Sequence, residues 1–181
     1  MKGSLRDIQR RSMPVCVNLS ALTLTPLPRA VLRPGESVAV EALGYRPAWE
    51  ALRLAGAQLV PVPVDAEGLD VDALERLARR RRLRAVYVTP HHQLPTTVTM
   101  AAGRRLALLA LARRHGLLVI EDDYDHEFHY EGRPVLPLAS ADDAGVVASV
   151  ARSPRCSHPG CGWASWWHPP LWQSGWCGFA R

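Results

Sequence analysis

A cluster of acidic residues and a tyrosine follows a short apolar run late in the chain. Leu117 to Ile120 are four apolar residues, two of them β-branched, which is typical of a buried strand in a parallel sheet. Glu121, Asp122, Asp123 and Tyr124 come directly after this run. Ligands of open α/β sheets bind outside the carboxyl ends of the strands, so the segment predicts a binding or catalytic site. An alternative is a set of solvated loop acids beside a packed tyrosine.

Side chains alternate along a strand, and this alternation divides the acidic cluster into two pairs. We expect Asp122 and Tyr124 to point to one side of the sheet. We expect Glu121 and Asp123 to point to the other side. The first pair would offer a carboxylate and a phenol to the same ligand.

Two other predicted strands lead to residues that can hold a flat, anionic ligand. The strand over residues 37–41 leads to Tyr45, and the strand over residues 83–89 leads to His92 and Gln93. The carboxyl ends of parallel strands lie at one edge of the sheet. We therefore expect these three side chains to lie beside the acidic cluster.

Strands and helices alternate along residues 34–150. The pattern predicts strands over 37–41, 58–64, 83–89, 117–121 and 146–150, and helices over 47–55, 70–82 and 101–115. This alternation indicates an α/β fold with a parallel-rich sheet flanked by helices and joined by right-handed crossovers. Residues 1–33 form a poorly defined N-terminal remnant, in which the prolines between Thr25 and Arg29 are expected to interrupt any helix.

The bulk composition indicates one globular domain. The chain has 181 residues, of which 48% are hydrophobic, and a formal net charge of +5. No apolar run is long enough to span a membrane, and the N-terminal residues lack the apolar stretch of a signal peptide, so we expect a cytoplasmic protein. The basic run over residues 79–84 has no interleaved aromatic residues, which favours a solvated helix end over a nucleic-acid site.

Four segments, taken in order and spacing, resemble a known family. The segments are Val38-Ala39-Val40-Glu41 with Gly44-Tyr45, Val64-Asp65-Ala66-Glu67-Gly68-Leu69, Val88-Thr89-Pro90-His91-His92-Gln93-Leu94-Pro95-Thr96, and Glu121-Asp122-Asp123-Tyr124-Asp125-His126-Glu127-Phe128 with Tyr130-Glu131-Gly132-Arg133-Pro134. Through these segments, residues 34–150 resemble the large domain of fold-type I pyridoxal-phosphate aminotransferases, and most closely the aminotransferase-like domain of GntR-type transcription regulators of the MocR group.

The resemblance implies pyridoxal 5'-phosphate as the cofactor and assigns roles to the strand-end residues. Asp122 would face the pyridine nitrogen and keep the ring protonated. Tyr124 would donate a hydrogen bond to the phenolic oxygen of the cofactor, and Tyr45 would stack on its ring. His92 and Gln93 would lie near the same oxygen. The ligand would be an amino acid or a vitamin B6 compound, and family members are usually homodimers.

Two parts of the family pattern are incomplete. The tract whose backbone holds the cofactor phosphate falls at residues 19–22, where only Ser20 matches. The lysine that bonds the cofactor covalently is expected at position 155, where the chain has Arg155, and Lys2 is the only lysine. Arginine stays protonated and cannot make that bond, so we expect non-covalent binding at best and no catalysis. A non-functional truncated product is the alternative, and no DNA-binding domain is recognised in the chain.

The composition changes after Val150, where cysteine and tryptophan become frequent. Codons permitted for residues 151–168 can be chosen so that a shifted frame encodes the family's lysine segment, with the lysine at position 155. We therefore interpret residues 151–181 as a frameshifted, disordered tail. A small structural or zinc-binding protein is the rival hypothesis, but the spacing departs from paired zinc-ligand motifs, so no metal site is predicted; the candidate ligands are Cys156, His158, Cys161, His168 and Cys177.

Overall fold

The computed structural model describes residues 26–124 and 136–151. The helices are α1 (Pro26–Val31), α2 (Arg46–Leu54), α3 (Val71–Arg80), α4 (Ala102–His115) and a 3₁₀ helix (Leu138–Ala141); the strands are β1 (Ser37–Glu41), β2 (Gln58–Val62), β3 (Val64–Asp65), β4 (Gly68–Leu69), β5 (Leu83–Val88), β6 (Leu118–Asp123) and β7 (Val147–Ala151). No helix in these ranges has the length and apolar character that a membrane crossing requires.

Five strands form a parallel sheet in the order β2, β1, β5, β6, β7. The predicted α/β class and the parallel sheet are therefore confirmed. The exposed Pro61 lies within β2, and this is tolerated because β2 is the outermost strand, where a missing backbone donor breaks no inner ladder. Strands β1, β5 and β6 are consecutive neighbours, so the three predicted ligand-bearing strand ends lie side by side.

Helices cover both faces of the sheet, because alternate residues of the buried strands pack in opposite directions. One face packs against α1 and α2 through an apolar cluster that includes Val38, Val40, Ala85, Tyr87, Leu118, Ile120, Ala51 and Leu52. The other face packs against α3, α4 and the 3₁₀ helix through Ala39, Val86, Val88, Val119, Leu74, Leu108, Leu111 and Leu138. We call these the α2 face and the α4 face.

The expectation that the prolines after Thr25 interrupt any helix is wrong. Helix α1 begins at Pro26 and contains Pro28, and Leu32 N donates to Pro28 O at 2.8 Å. Proline is accepted in the first helical turn because the backbone donors there have no intrahelical partner. Leu32 is only 3% exposed, so the ordered fold begins before residue 34.

The second predicted strand, over residues 58–64, ends at Val62 in the structure. After Pro63 the chain forms a short antiparallel pair in which Val64 faces Leu69 and Asp65 faces Gly68. Gly68 lies at φ +95°, a conformation that L side chains rarely adopt. The segment Val64 to Leu69 is thus a tight hairpin that carries the chain from β2 into α3.

Specific residues define the ends of α3 and α4, and the interpretation of the basic run needs one correction. Asp70 caps α3 by accepting from Ala73 N at 2.9 Å, and Gly116 ends α4 in the left-handed conformation. The basic run does not lie wholly at a helix end: α3 stops at Arg80, while Arg84 belongs to β5 and donates to Val31 O. Arg81 and Arg82 between them are exposed, as the solvated interpretation requires.

Candidate functional site

The carboxyl ends of β1, β5 and β6 meet at one edge of the sheet. Val40 of β1 pairs with Tyr87 of β5, and Val88 of β5 pairs with Glu121 of β6. The residues immediately beyond these pairs are therefore neighbours in space. The predicted convergence of the strand ends is what the structure shows.

Asp122 lies on the α2 face and forms a buried hydrogen bond with Tyr87. The Tyr87 hydroxyl donates to Asp122 Oδ2, and each residue is 1% exposed. Burial raises the pKa of Tyr87 well above its ordinary value, and the neighbouring carboxylate of Asp122 raises it further. Tyr87 is therefore a neutral donor over the whole physiological pH range. A buried carboxylate with a fixed donor is suited to hold a cation, such as a protonated ring nitrogen.

Tyr45 occupies the position before the first residue of α2. Its carbonyl accepts from Ala48 N at 3.1 Å and Trp49 N at 3.3 Å, so the start of the helix fixes its backbone. The side chain is half-buried and packs against the apolar cluster that contains Tyr87. Tyr45 also contributes to the raised pKa of Tyr87, after larger contributions from burial, Asp122 and Glu41. Tyr45 thus lies on the same face as Asp122.

Glu121 and Asp123 point away from Asp122, towards the α4 face, as the alternation predicts. Glu121 accepts from the backbone nitrogens of Leu138 at 2.6 Å and Ala139 at 3.2 Å, and burial raises its pKa. Asp123 Oδ1 lies 3.4 Å from His91 Nδ1. These two acids therefore connect β6 to neighbouring loops on the face opposite Asp122.

Glu41 ends β1 and is joined to the loop after β5. Its carboxylate accepts from Thr89 Oγ1 at 2.7 Å and from Thr89 N at 3.4 Å. Burial raises the pKa of Glu41 to about 7, against the smaller opposing effect of the Thr89 hydrogen bonds. Glu41 therefore changes its charge near neutral pH.

The amide of Gln93 is engaged within its own loop. Nε2 donates to Leu43 O and Leu94 O, both at 2.6 Å, and Oε1 accepts from Thr96 Oγ1 at 2.6 Å. These contacts tie the loop after β5 to the loop after β1, which favours a positioning role over a direct ligand contact. His92 is half-buried in the same loop, with its ring centroid 5.3 Å from that of His91.

Several predicted residues lie at the limit of the described part of the chain or beyond it. Tyr124 is half-buried immediately after β6. Ser20, Arg155, the rest of the acidic motif (125–134) and the candidate zinc ligands of the tail lie outside the described residues. Within residues 26–124 and 136–151, no group of His, Cys, Asp and Glu side chains is arranged to hold a metal ion.

Sequence reasoning missed three residues that organise this edge. Tyr87 lies within an apolar strand pattern and was indistinguishable from a core residue. Glu41 belonged to a recognised segment without an assigned role. Arg105 is 8% exposed and donates to Pro90 O, Met100 O and Leu136 O at 2.8, 3.0 and 2.7 Å. One of four arginines in a leucine-rich helix carries no signal of such a role, because arginine is common on helix surfaces.

A concave pocket of about 370 Å³ lies at the other end of the sheet. It is lined by Arg79, Arg80, Arg81, Arg82, Leu83, His115 and Leu117, close to the amino-terminal ends of β5 and β6. Ligands of parallel sheets bind at the opposite, carboxyl edge. The strand-end residues, and not this concavity, therefore define the candidate site.

Comparison with known proteins identifies the fold and family. Residues 20–164 match the family described as aminotransferase class I and II. The chain belongs to this family. The matched range contains the ends of β1, β5 and β6, so the family assignment and the geometry concern the same edge of the sheet.

Relatives of this aminotransferase-family chain include enzymes and regulators. It is 33% identical over 142 residues to aromatic-amino-acid aminotransferase 1 of Thermococcus litoralis, covering 75% of this chain and 34% of that protein. It is 35% identical over 133 residues to the rhizopine catabolism regulatory protein MocR of Rhizobium meliloti, covering 74% of this chain and 26% of that protein. The chain thus spans about a third or less of these relatives' lengths.

A solved structure supports the same assignment. The kynurenine aminotransferase of Pyrococcus horikoshii, determined in complex with PMP, superposes with a TM-score of 0.69 at 33% sequence identity. The superposition covers 73% of this chain and 34% of that one. The described sheet and helices are therefore those of a fold-type I aminotransferase domain.

Proposed function

We propose that this chain binds pyridoxal phosphate, without a covalent bond, at the carboxyl edge formed by β1, β5 and β6. The observation that carries the proposal is the buried carboxylate of Asp122, which lies at the end of β6 with a fixed phenol donor. Further support comes from the family assignment and from the related enzyme whose structure contains PMP.

The residues present fit the aromatic part of this cofactor. A buried carboxylate can bind a protonated pyridine nitrogen, because opposite charges attract more strongly where water is excluded. Tyr45 lies on the same face and offers an aromatic ring, whose stacking contributes about 1 kcal/mol beyond burial. Tyr124 offers a phenol at the end of β6. Asp122 would hold the ring nitrogen, Tyr45 would cover the ring, and Tyr124 would donate to the ring oxygen.

Catalysis requires more than this edge supplies. When bound, the cofactor provides an electron-accepting ring for reactions at the α-carbon of an amino acid. A lysine normally anchors it and moves the proton, and Lys2 is the only lysine of the sequence. Arg155 stands where the lysine is expected and cannot replace it. We therefore propose that the chain, as given, does not catalyse transamination.

A ligand-sensing role in a regulator is the second candidate. It is favoured by the similarity to MocR, a regulatory protein that is as close in identity as the aminotransferases. The same strand-end residues would then hold a vitamin B6 compound or an amino acid adduct of it. Both candidate functions place the ligand at the carboxyl edge of the sheet. They differ in whether a reaction follows binding.

Equilibrium binding tests the shared part of the proposal. We expect pyridoxal phosphate to quench the intrinsic tryptophan fluorescence saturably and to be fully removed by dialysis. Asp122→Asn should weaken binding at least about tenfold, because a neutral amide loses the charge-assisted contact to the ring nitrogen. Asp72→Asn, at an exposed carboxylate in the first turn of α3, is the matched control and should leave the affinity unchanged.

Two results would contradict the proposal. The first is no saturable binding by the unmodified, folded chain, as judged by circular dichroism. The second is a borohydride-reduced adduct mapped to Lys2 in a preparation that also transaminates. Equal affinities of Asp122→Asn and the unmodified chain would remove Asp122 from the site.

A further inference from the structure

We propose that Tyr87 is a positioning residue that fixes the orientation of the Asp122 carboxylate for its contact with a ring nitrogen. This inference rests on the proposed function, since it concerns how the carboxyl edge of the sheet recognises the pyridine ring of the cofactor. It adds Tyr87, from the neighbouring strand β5, to the residues proposed to recognise the cofactor.

The position of Tyr87 is set by the sheet itself. Tyr87 pairs with Ile120 in the parallel register between β5 and β6, which places its ring on the α2 face beside the side chain of Asp122. The ring is buried in an apolar cluster, where a tyrosine hydroxyl needs a hydrogen-bond partner. Its acceptor is Asp122 Oδ2. The donor therefore cannot move without disturbing both strands.

The chemistry of the pair determines its effect. A phenol donates to one oxygen of a carboxylate and thereby restricts the rotation of that carboxylate. The pKa of Tyr87 is itself raised by burial and by Asp122, so the hydroxyl keeps its proton. A carboxylate has about four lone-pair positions, so accepting one bond leaves it able to accept another. Tyr87 thus fixes the orientation in which the Asp122 carboxylate meets the ligand.

A purely structural tyrosine would predict a different outcome. If Tyr87 only fills the core and satisfies its hydroxyl, its loss should weaken every ligand at this edge to the same extent. If it acts through Asp122, its loss should weaken only ligands that carry a ring nitrogen. A pair of ligands that differ in this one atom separates the two roles.

The test compares pyridoxal phosphate with its 1-deaza analogue, in which carbon replaces the ring nitrogen. We expect the unmodified chain to prefer pyridoxal phosphate. Tyr87→Phe keeps the buried ring and removes the donor, and should reduce this preference about tenfold through weaker binding of pyridoxal phosphate. Its affinity for the analogue should change less than about twofold, because a carbon atom makes no contact with Asp122 that depends on charge.

Thr89→Val is the matched control, because it also removes a buried hydroxyl bonded to a carboxylate at this edge. Its partner is Glu41 of β1, whereas the partner of Tyr87 is Asp122 of β6. We expect Thr89→Val to leave the preference between the two ligands unchanged. The comparison corrects for any general loosening caused by deleting a buried hydroxyl.

The possible outcomes are distinct. Equal weakening of both ligands in Tyr87→Phe overturns the inference but leaves the proposed function standing. No binding of either ligand to the unmodified chain overturns the proposed function and the inference together. If Tyr87→Phe does not fold, Tyr87→3-fluorotyrosine replaces it. Its hydroxyl is a stronger donor of nearly the same shape, so the preference should rise at least about twofold, and an unchanged preference overturns the inference.

Discussion

Glu41 and Asp122 are both buried carboxylates at the carboxyl edge, but their environments differ. Asp122 accepts from the phenol of Tyr87, whereas Glu41 accepts from the hydroxyl and the backbone nitrogen of Thr89. Burial outweighs the hydrogen bonds at Glu41 and raises its pKa to about 7 from the ordinary value of 4.5. Glu41 can therefore lose its charge on folding.

The raised pKa of Glu41 predicts that stability falls as pH rises. Between about pH 4.5 and 7 the folded chain holds a proton that the unfolded chain has lost. The stabilisation is complete below pH 4.5 and is lost as the pH rises towards 7, by on the order of 3 kcal/mol at about 1.36 kcal/mol per pKa unit. Glu41→Gln should flatten this part of the pH dependence, as measured by urea unfolding across the window.

A solvent-exposed glutamate gives the control for this prediction. Glu50 is paired with Arg53 on the surface of α2. Glu50→Gln should leave the slope of the unfolding free energy against pH unchanged. Some slope should persist in Glu41→Gln, because burial also raises the pKa of Glu121. The same slope in Glu41→Gln and the unmodified chain would show that Glu41 is not the titrating group.

The turns around β1 and β2 show how one backbone conformation can carry two different constraints. Gly35 precedes β1 and Gly56 follows α2, and both have φ of +87°. Gly35 N donates to Gly56 O at 2.8 Å, which joins the two turns. A Cβ on Gly35 would have nothing within 4 Å, whereas one on Gly56 would lie 2.8 Å from Pro34 Cα. Both positions need the left-handed backbone conformation. At Gly56 a side chain would in addition clash with Pro34.

We therefore predict unequal effects of adding a methyl group to the two turns. Gly35→Ala should lower the free energy of unfolding by about 1 kcal/mol, the cost of the left-handed conformation for an L residue. Gly56→Ala carries the same cost and must also displace the backbone of Pro34, so its loss should reach at least about 2 kcal/mol. Urea unfolding of the two variants measures the difference, and equal losses would contradict the close approach.

At the scale of the whole molecule, Arg105 connects parts of the chain that are distant in sequence. From α4 its guanidinium reaches the loop after β5 at Pro90 O and the segment before the 3₁₀ helix at Leu136 O. The 3₁₀ helix in turn donates to Glu121 of β6 through its backbone. Arg105 thus helps to hold the loops around the carboxyl edge in one arrangement.

Removing this guanidinium should destabilise the whole domain. Arg105→Met keeps much of the aliphatic volume but leaves buried carbonyls without donors, which we expect to cost about 3 kcal/mol. The neighbouring Arg104→Met is the control, because Arg104 pairs with the half-exposed Asp65 and Glu67 at the surface. That change should cost less than about 1 kcal/mol. Similar losses in the two variants, measured by thermal or urea unfolding, would argue against a bridging role for Arg105.

The helix and strand order followed from local patterns. Apolar runs and the proline and glycine signals act within a few residues, so they predicted the alternation, the parallel sheet and most element positions. Asp122 was found for the same reason, because an acid directly after a buried strand is visible in the sequence. Two predictions were wrong where the effect of a proline depends on its position in the fold. Pro26 and Pro28 lie in the first turn of α1 and do not interrupt it, and β2 ends before Pro63, which is followed by a hairpin.

The sequence by itself determined the fold class, the family and the edge of the sheet at which chemistry is expected, since short motifs and strand periodicity encode these. Only the tertiary structure decided which hydroxyl groups donate hydrogen bonds to which carboxylates. Tyr87 is 35 residues from Asp122, and Thr89 is 48 residues from Glu41. Their pairing depends on the order of β1, β5 and β6 and on the register between them, which no local pattern specifies. Burial likewise sets the charge of Glu41, because desolvation arises only when both faces of the sheet are covered.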